Sequence, residues 1–173
     1  AIAFEESAGV DRPLCLWDLQ SGKEARIDAP VSQTALPPLR WSADGKQLAY
    51  YKGDWRKGRL LVIRPGGNWP PIDVAESLEE TCDFDWSPDG TTLALLDTST
   101  HGAIVLRRLS DMQQRRIEVA PGGKLGELAW SPDGKRILVT ARGGADEYFK
   151  LFGVNLSNGK AKVLAEAAGD IGH

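Results

Sequence analysis

The sequence predicts an all-β fold, a propeller of small four-stranded antiparallel sheets, and three observations predict it. A Trp-Ser-x-Asp-Gly motif occurs three times, at Trp41-Ser42-Ala43-Asp44-Gly45, Trp86-Ser87-Pro88-Asp89-Gly90 and Trp130-Ser131-Pro132-Asp133-Gly134. The tryptophans are 45 and 44 residues apart. Each motif leads into a short apolar run: Leu48-Ala49-Tyr50, Leu93-Ala94-Leu95 and Ile137-Leu138-Val139. A period of this length holding several short strands marks a propeller blade. A β-sandwich also holds many short strands, but it does not repeat at a fixed period.

The elements of one period follow in order. Residues before each tryptophan, such as Cys82-Asp83-Phe84-Asp85-Trp86, alternate or run apolar and predict a first strand. Ser-Pro-Asp-Gly predicts a tight turn. Proline presets φ, aspartate bonds the nearby backbone, and glycine takes the positive φ at the end. Such a turn joins two antiparallel strands, so the apolar run is the second strand. Third strands are predicted at Leu60-Leu61-Val62-Ile63, Ile104-Val105-Leu106 and 149–154. Fourth strands are predicted at Ile72-Asp73-Val74, 116–119 and Lys162-Val163-Leu164, after turn signals at 65–68, Ser110-Asp111 and Ser157-Asn158-Gly159.

The first residues fit the same register. Ala1-Ile2-Ala3-Phe4 corresponds to a second strand, Leu14-Cys15-Leu16-Trp17 to a third and Glu24-Ala25-Arg26-Ile27 to a fourth. The chain therefore reads as one partial propeller domain with repeats at 1–35, 36–79, 80–124 and 125–173. About four blades are expected, the first lacking its first strand, as a piece of or partner in a larger ring. A closed four-bladed ring, with the last residues zipped against Ala1–Phe4, is the second reading. An open piece would expose apolar sheet faces, which another copy or chain completing the ring would cover.

Composition narrows the function classes. Among 173 residues, Lys plus Arg number 21 and Asp plus Glu 24, a net charge of −3, so no basic footprint for nucleic acid is present. No apolar run has the length of a membrane span. Two cysteines and two histidines exclude a finger-type zinc site. Cys15 and Cys82 fall two blades apart in this register, too far for a disulfide, and both thiols are expected to be buried.

Catalytic chemistry is not signalled. The Gly-x-Ser-x-Gly turn of a serine hydrolase is absent, and no glycine-rich phosphate loop precedes a helix. Asp83, Asp85 and Asp89 cluster, but without the spacing of a calcium loop. Their repeat equivalents (Pro38 and Glu127 for Asp83, Arg40 and Ala129 for Asp85) do not repeat a metal site. Asp44, Asp89 and Asp133 read as turn residues. No catalytic, cofactor or metal residue is therefore expected, and the chain reads as a non-enzyme.

Trp41, Trp86 and Trp130 read as core between blades, and Trp17 as strand packing. Trp55, in Lys52-Gly53-Asp54-Trp55-Arg56-Lys57-Gly58, lies in a polar loop, where an aromatic beside Arg and Lys suits an interface anchor. Loops between second and third strands share one propeller face with those leading into the next first strand. That face gathers Trp55, Arg56, Lys57, His101, Asp146, Glu147 and Tyr148, with Glu79, Glu80 and Lys124 nearby. Its mixed charge suits a protein partner rather than a nucleic acid.

The Trp-Ser-Pro-Asp-Gly-Lys pattern followed by an apolar strand resembles the repeat of TolB-type propellers. The same repeat occurs in the propeller domains of prolyl-oligopeptidase and dipeptidyl-peptidase-like serine peptidases. Leu14-Cys15-Leu16-Trp17-Asp18-Leu19-Gln20-Ser21-Gly22-Lys23 resembles the third strand and turn of WD-type repeats. The TolB resemblance implies a periplasmic scaffold that docks proteins on its ring. The peptidase resemblance implies a ring that gates substrate to a hydrolase domain, of which this sequence shows no sign. The repeat is a folding motif and brings no function with it.

Overall fold

The computed structural model describes residues 2–5, 14–28, 39–53, 58–66, 70–78, 83–97, 102–142 and 148–166. Among them lie fifteen strands and no helix, in four antiparallel sheets whose strand order follows the chain. This is the predicted all-β propeller architecture. The chain divides into two compact units, residues 1–40 with 47–81 and residues 41–46 with 82–173.

The first unit holds a three-stranded sheet of β1 (Ile2–Glu5), β2 (Leu14–Trp17) and β3 (Glu24–Asp28). It also holds most of a four-stranded sheet, β4 (Leu39–Trp41), β5 (Leu48–Gly53), β6 (Gly58–Ile63) and β7 (Ile72–Leu78), whose β4–β5 turn belongs to the second unit. Strands covered on both faces read as continuous apolar runs. Leu48, Ala49, Tyr50 and Tyr51 of β5 are all buried, as are Leu60 to Ile63 of β6. Leu14, Cys15 and Leu16 of β2 are buried too. Cys82 lies outside the described residues. Trp17 does not pack as expected: it ends β2 and is 42% exposed, because the strand runs out into the Asp18 turn before the ring can be covered.

The second unit contains two four-stranded sheets. One is β8 (Phe84–Trp86), β9 (Thr92–Asp97), β10 (Ala103–Arg108) and β11 (Gln114–Glu118). The other is β12 (Lys124–Trp130), β13 (Arg136–Arg142), β14 (Lys150–Asn155) and β15 (Ala161–Glu166). Phe84, Trp86, Leu93, Leu95 and Ile104 form a buried centre in the first of these sheets. Of the motif tryptophans only Trp86 is buried; Trp41 and Trp130 are partly exposed.

The three motif turns share one construction. The glycine N–H donates to the serine carbonyl in Gly45–Ser42, Gly90–Ser87 and Gly134–Ser131, at 2.8, 2.8 and 2.9 Å. All three glycines have φ of +68°, the left-handed region in which a side chain is strained. The serine hydroxyl donates to the aspartate carboxylate at 2.7 Å in Ser42–Asp44 and 2.6 Å in Ser87–Asp89 and Ser131–Asp133. The same carboxylate oxygen accepts the N–H two residues on, at Lys46, Thr91 and Lys135. Proline makes no essential contact in this scheme, which is why Ala43 can replace it.

These bonds have a titration consequence. The serine hydroxyl, then the backbone N–H, hold Asp44, Asp89 and Asp133 below the usual carboxylate range. A carboxylate with a lowered folded pKa contributes stability above its unfolded value. That contribution is lost as pH falls through the folded value. NMR titration of the carboxyl carbons should therefore show all three ionising below the ordinary aspartate value. Ser87→Ala should return Asp89 towards that value and leave Asp133 unmoved. Equal midpoints for Asp89 in the two proteins would refute this.

Within the second unit the two sheets are joined at their first strands. β12 lies against β8 and β9. The Leu128 N–H donates to Asp83 Oδ2 at 2.9 Å, and the Trp130 N–H donates to Asp85 Oδ2 at 2.8 Å. Asp85 Oδ1 also accepts its neighbour Trp86 N–H at 3.0 Å. The two carboxylates that reach β12 therefore act on its backbone. Bonds to a charged acceptor are worth more than neutral ones, about 1.5–3 kcal/mol each. At the far edge, Arg115 Nη1 donates to the Leu156 carbonyl at 2.6 Å, tying β11 to the β14–β15 turn.

Candidate interaction surface

Of the seven residues expected on the loop face, Trp55, Arg56, Lys57, His101, Asp146 and Glu147 lie outside the described residues, as do Glu79 and Glu80. Tyr148 is described and is 55% exposed. It stands at one end of the β12–β15 sheet, just before β14. Strand register brings the start of β12, the end of β13, the start of β14 and the end of β15 to that same end. Lys124 pairs with Arg142, Ala141 with Lys150, and Lys150 with Glu166.

The side chains at this end form an aromatic and basic rim. Arg142 lies over the Phe149 ring, 5.5 Å from its centre, a cation–π arrangement. Phe149 is 39% exposed beside Tyr148. Lys150 pairs with Glu166 at 3.6 Å, and Lys124 is exposed. Gly126 makes room for the ring: a Cβ there would sit 2.5 Å from Thr140 Oγ1 and 3.2 Å from Phe149 Cε1. Thr140 Oγ1 accepts the Glu127 N–H at 2.9 Å, fixing the bulge that separates Leu125 from Leu128 in the pairing.

The same end of the β8–β11 sheet is neutralised. Arg116 donates to Asp97 at 2.8 Å and to Glu118 at 2.9 Å, and both carboxylates raise its pKa. The Gly102 carbonyl accepts the N–H groups of Val119 and Ala120 at 2.8 and 2.9 Å, closing the sheet end over buried backbone. The exposed aromatic pair of the β12–β15 rim has no counterpart in those closing contacts. Phe149 was legible in the sequence only as part of a strand; its preceding Tyr148 and the glycine at 126 were the available signals. Among the described residues no group of three or more His, Cys, Asp or Glu is placed to share a metal ion.

Comparison with known proteins follows the same lines. No protein-family model matches the chain. Over 118 residues it is 29% identical to the uncharacterized peptidase YuxL of Bacillus subtilis (strain 168), a match covering 62% of this chain and 17% of YuxL. The crystal structure of TolB from Acinetobacter baumannii superposes with a TM-score of 0.70 at 16% identity, over 97% of this chain and 41% of that one. A prolyl endopeptidase structure gives a TM-score of 0.66 at 17% identity, over 96% of this chain and 27% of that one. The chain thus spans less than half the length of each of these proteins. At such identities the structural likeness shows the fold, a TolB-type propeller, and nothing further. No helix of the described residues is long and apolar enough to cross a membrane.

Proposed function

We propose that the chain is a non-catalytic scaffold that binds a protein on the loop face. The observation that supports this is the exposed Tyr148–Phe149 pair flanked by Arg142 and Lys124. Aromatics and arginine dominate the energetics of protein interfaces, and an aromatic already packed under a guanidinium binds with less ordering cost. Trp55, Arg56, Lys57, His101, Asp146 and Glu147 extend the same face in this reading. A periplasmic setting belongs to it on the strength of the TolB resemblance.

A photo-cross-linking amino acid at 148, in cells of the source, tests the proposal. One protein should be captured from position 148 and from position 55, and not from Asn158 at the opposite end of the sheet. The double variant Tyr148→Ala/Phe149→Ala should then weaken the purified pair at least about tenfold. Identical capture from all three positions, or unchanged affinity in a folded variant, would refute it.

The likeness to YuxL and to a prolyl endopeptidase supports a second reading, a propeller that gates substrate to a hydrolase domain. That reading requires a hydrolase domain continuous with this chain. The reading frame on either side decides between the two.

A further inference from the structure

Four dipeptides in the sequence are chemically able to cyclise: Asp44-Gly45, Asp89-Gly90, Asp133-Gly134 and Asn158-Gly159. The glycine nitrogen can reach the preceding side-chain carbonyl carbon because no Cβ hinders it. A succinimide then closes, with loss of water from an aspartic acid or ammonia from an asparagine. All four side chains are exposed to solvent.

The turns treat them differently. In the three motif turns the glycine N–H is donated to the serine carbonyl. The aspartate accepts the serine hydroxyl and a backbone N–H, bonds that hold it ionised below the usual carboxylate range. A carboxylate resists attack, since only the neutral acid loses water. Both partners in the ring closure are therefore engaged. In the β14–β15 turn the Gly159 N–H is donated to the Asn155 carbonyl at 2.8 Å, and Asn158 Oδ1 accepts the Lys160 N–H at 2.9 Å. An amide has no ionised form to protect it, so only the bonds of the turn restrain the reaction. The β2–β3 turn is built alike, with the Gly22 N–H donated to the Asp18 carbonyl at 2.9 Å, but it carries Ser21 at this place, which cannot cyclise.

We propose that Asn158 is a self-modification site, at which opening of the 155–160 turn sets the rate of deamidation. When the turn opens, the Gly159 nitrogen gives up its proton and bonds to Asn158 Cγ. The Cγ–Nδ2 bond breaks, and ammonia leaves with that proton. Water then opens the succinimide at either carbonyl, leaving aspartate or isoaspartate at position 158. Isoaspartate adds a methylene to the main chain inside the loop closed by the Asn155 N–H on the Lys160 carbonyl at 2.9 Å. The Leu156 carbonyl, which Arg115 Nη1 holds at 2.6 Å, lies in that loop, so the modification loosens the tie between β11 and the β14–β15 turn. The proposal stands apart from the loop-face reading, which uses the other end of the sheet.

Peptide mapping by mass spectrometry, with an isoaspartate-specific carboxyl methyltransferase as a second readout, tests it at neutral pH. The folded protein should convert at Asn158 and not at Asp44, Asp89 or Asp133. In urea all four positions should form isoaspartate, and Asn158 should react at least about tenfold faster than in the folded chain. Arg115→Ala removes the brace on the Leu156 carbonyl and should speed the folded reaction about threefold. Arg115 is exposed, and circular dichroism checks that its variant is folded. Asn158→Ser should abolish the folded protein's isoaspartate signal. Equal rates at Asn158 in buffer and urea, isoaspartate at the motif turns of the folded chain, no conversion of folded Asn158, or an Arg115 variant that reacts like the native chain would each overturn the proposal.

Discussion

Replacing Phe84 by alanine is expected to cost about 3–5 kcal/mol of unfolding free energy. Phe84 is 1% exposed and among the largest fully buried side chains. It lies on β8 opposite Leu95, with buried Trp86 two residues on along the same face. Removing the ring forfeits its transfer free energy and leaves a cavity that β8, only three residues long, cannot close. β8 also carries Asp85, so a shift of its backbone to fill the space would strain the bonds to β12. Chemical denaturation followed by near-ultraviolet circular dichroism measures the change. A loss below about 1 kcal/mol would mean that the centre of this sheet is loosely packed.

The second large effect is expected at Gly102. Its φ is +84°, and a Cβ would fall 1.7 Å from the Ala120 carbonyl oxygen. That carbonyl cannot retreat freely, because the Val119 and Ala120 N–H groups are bonded to Gly102 itself. Gly102→Ala thus combines left-handed strain of about 1–2 kcal/mol with the loss of one or two backbone bonds at about 1 kcal/mol each. The sum is about 2–4 kcal/mol. Gly122→Ala is the matched control: φ there is +72° with nothing within 4 Å of the added carbon. It should show the conformational strain alone. Equal losses at the two glycines would show that the close approach costs nothing.

The strand framework was legible because its signals are local. Trp-Ser-x-Asp-Gly determines a turn through bonds spanning two or three residues, and the apolar runs after it are strands, those at 48–50 and 93–95 buried on both faces. Interactions between periods were not legible. Asp83 and Asp85 read in the sequence only as a carboxylate cluster without calcium-loop spacing, yet the β12 N–H groups that they accept lie 45 residues away and the equivalent positions in other repeats carry different chemistry. Trp17 was misread because its exposure depends on where its strand ends, and the side chain gives no sign of that. On the candidate surface, sequence reasoning found Tyr148 from its loop position and passed over Phe149. The ring sits there because Gly126 has no side chain to displace it, a dependence between strands.

The carboxylate bonds between consecutive inner strands set a lower limit on what can be copied or cut out. A polypeptide of residues 80–124 alone would lose the bonds that Asp83 Oδ2 and Asp85 Oδ2 accept from the Leu128 and Trp130 N–H groups of its successor. The smallest portable module in this stretch is therefore a tandem, and duplication or recombination that respects the fold would have to move both members together.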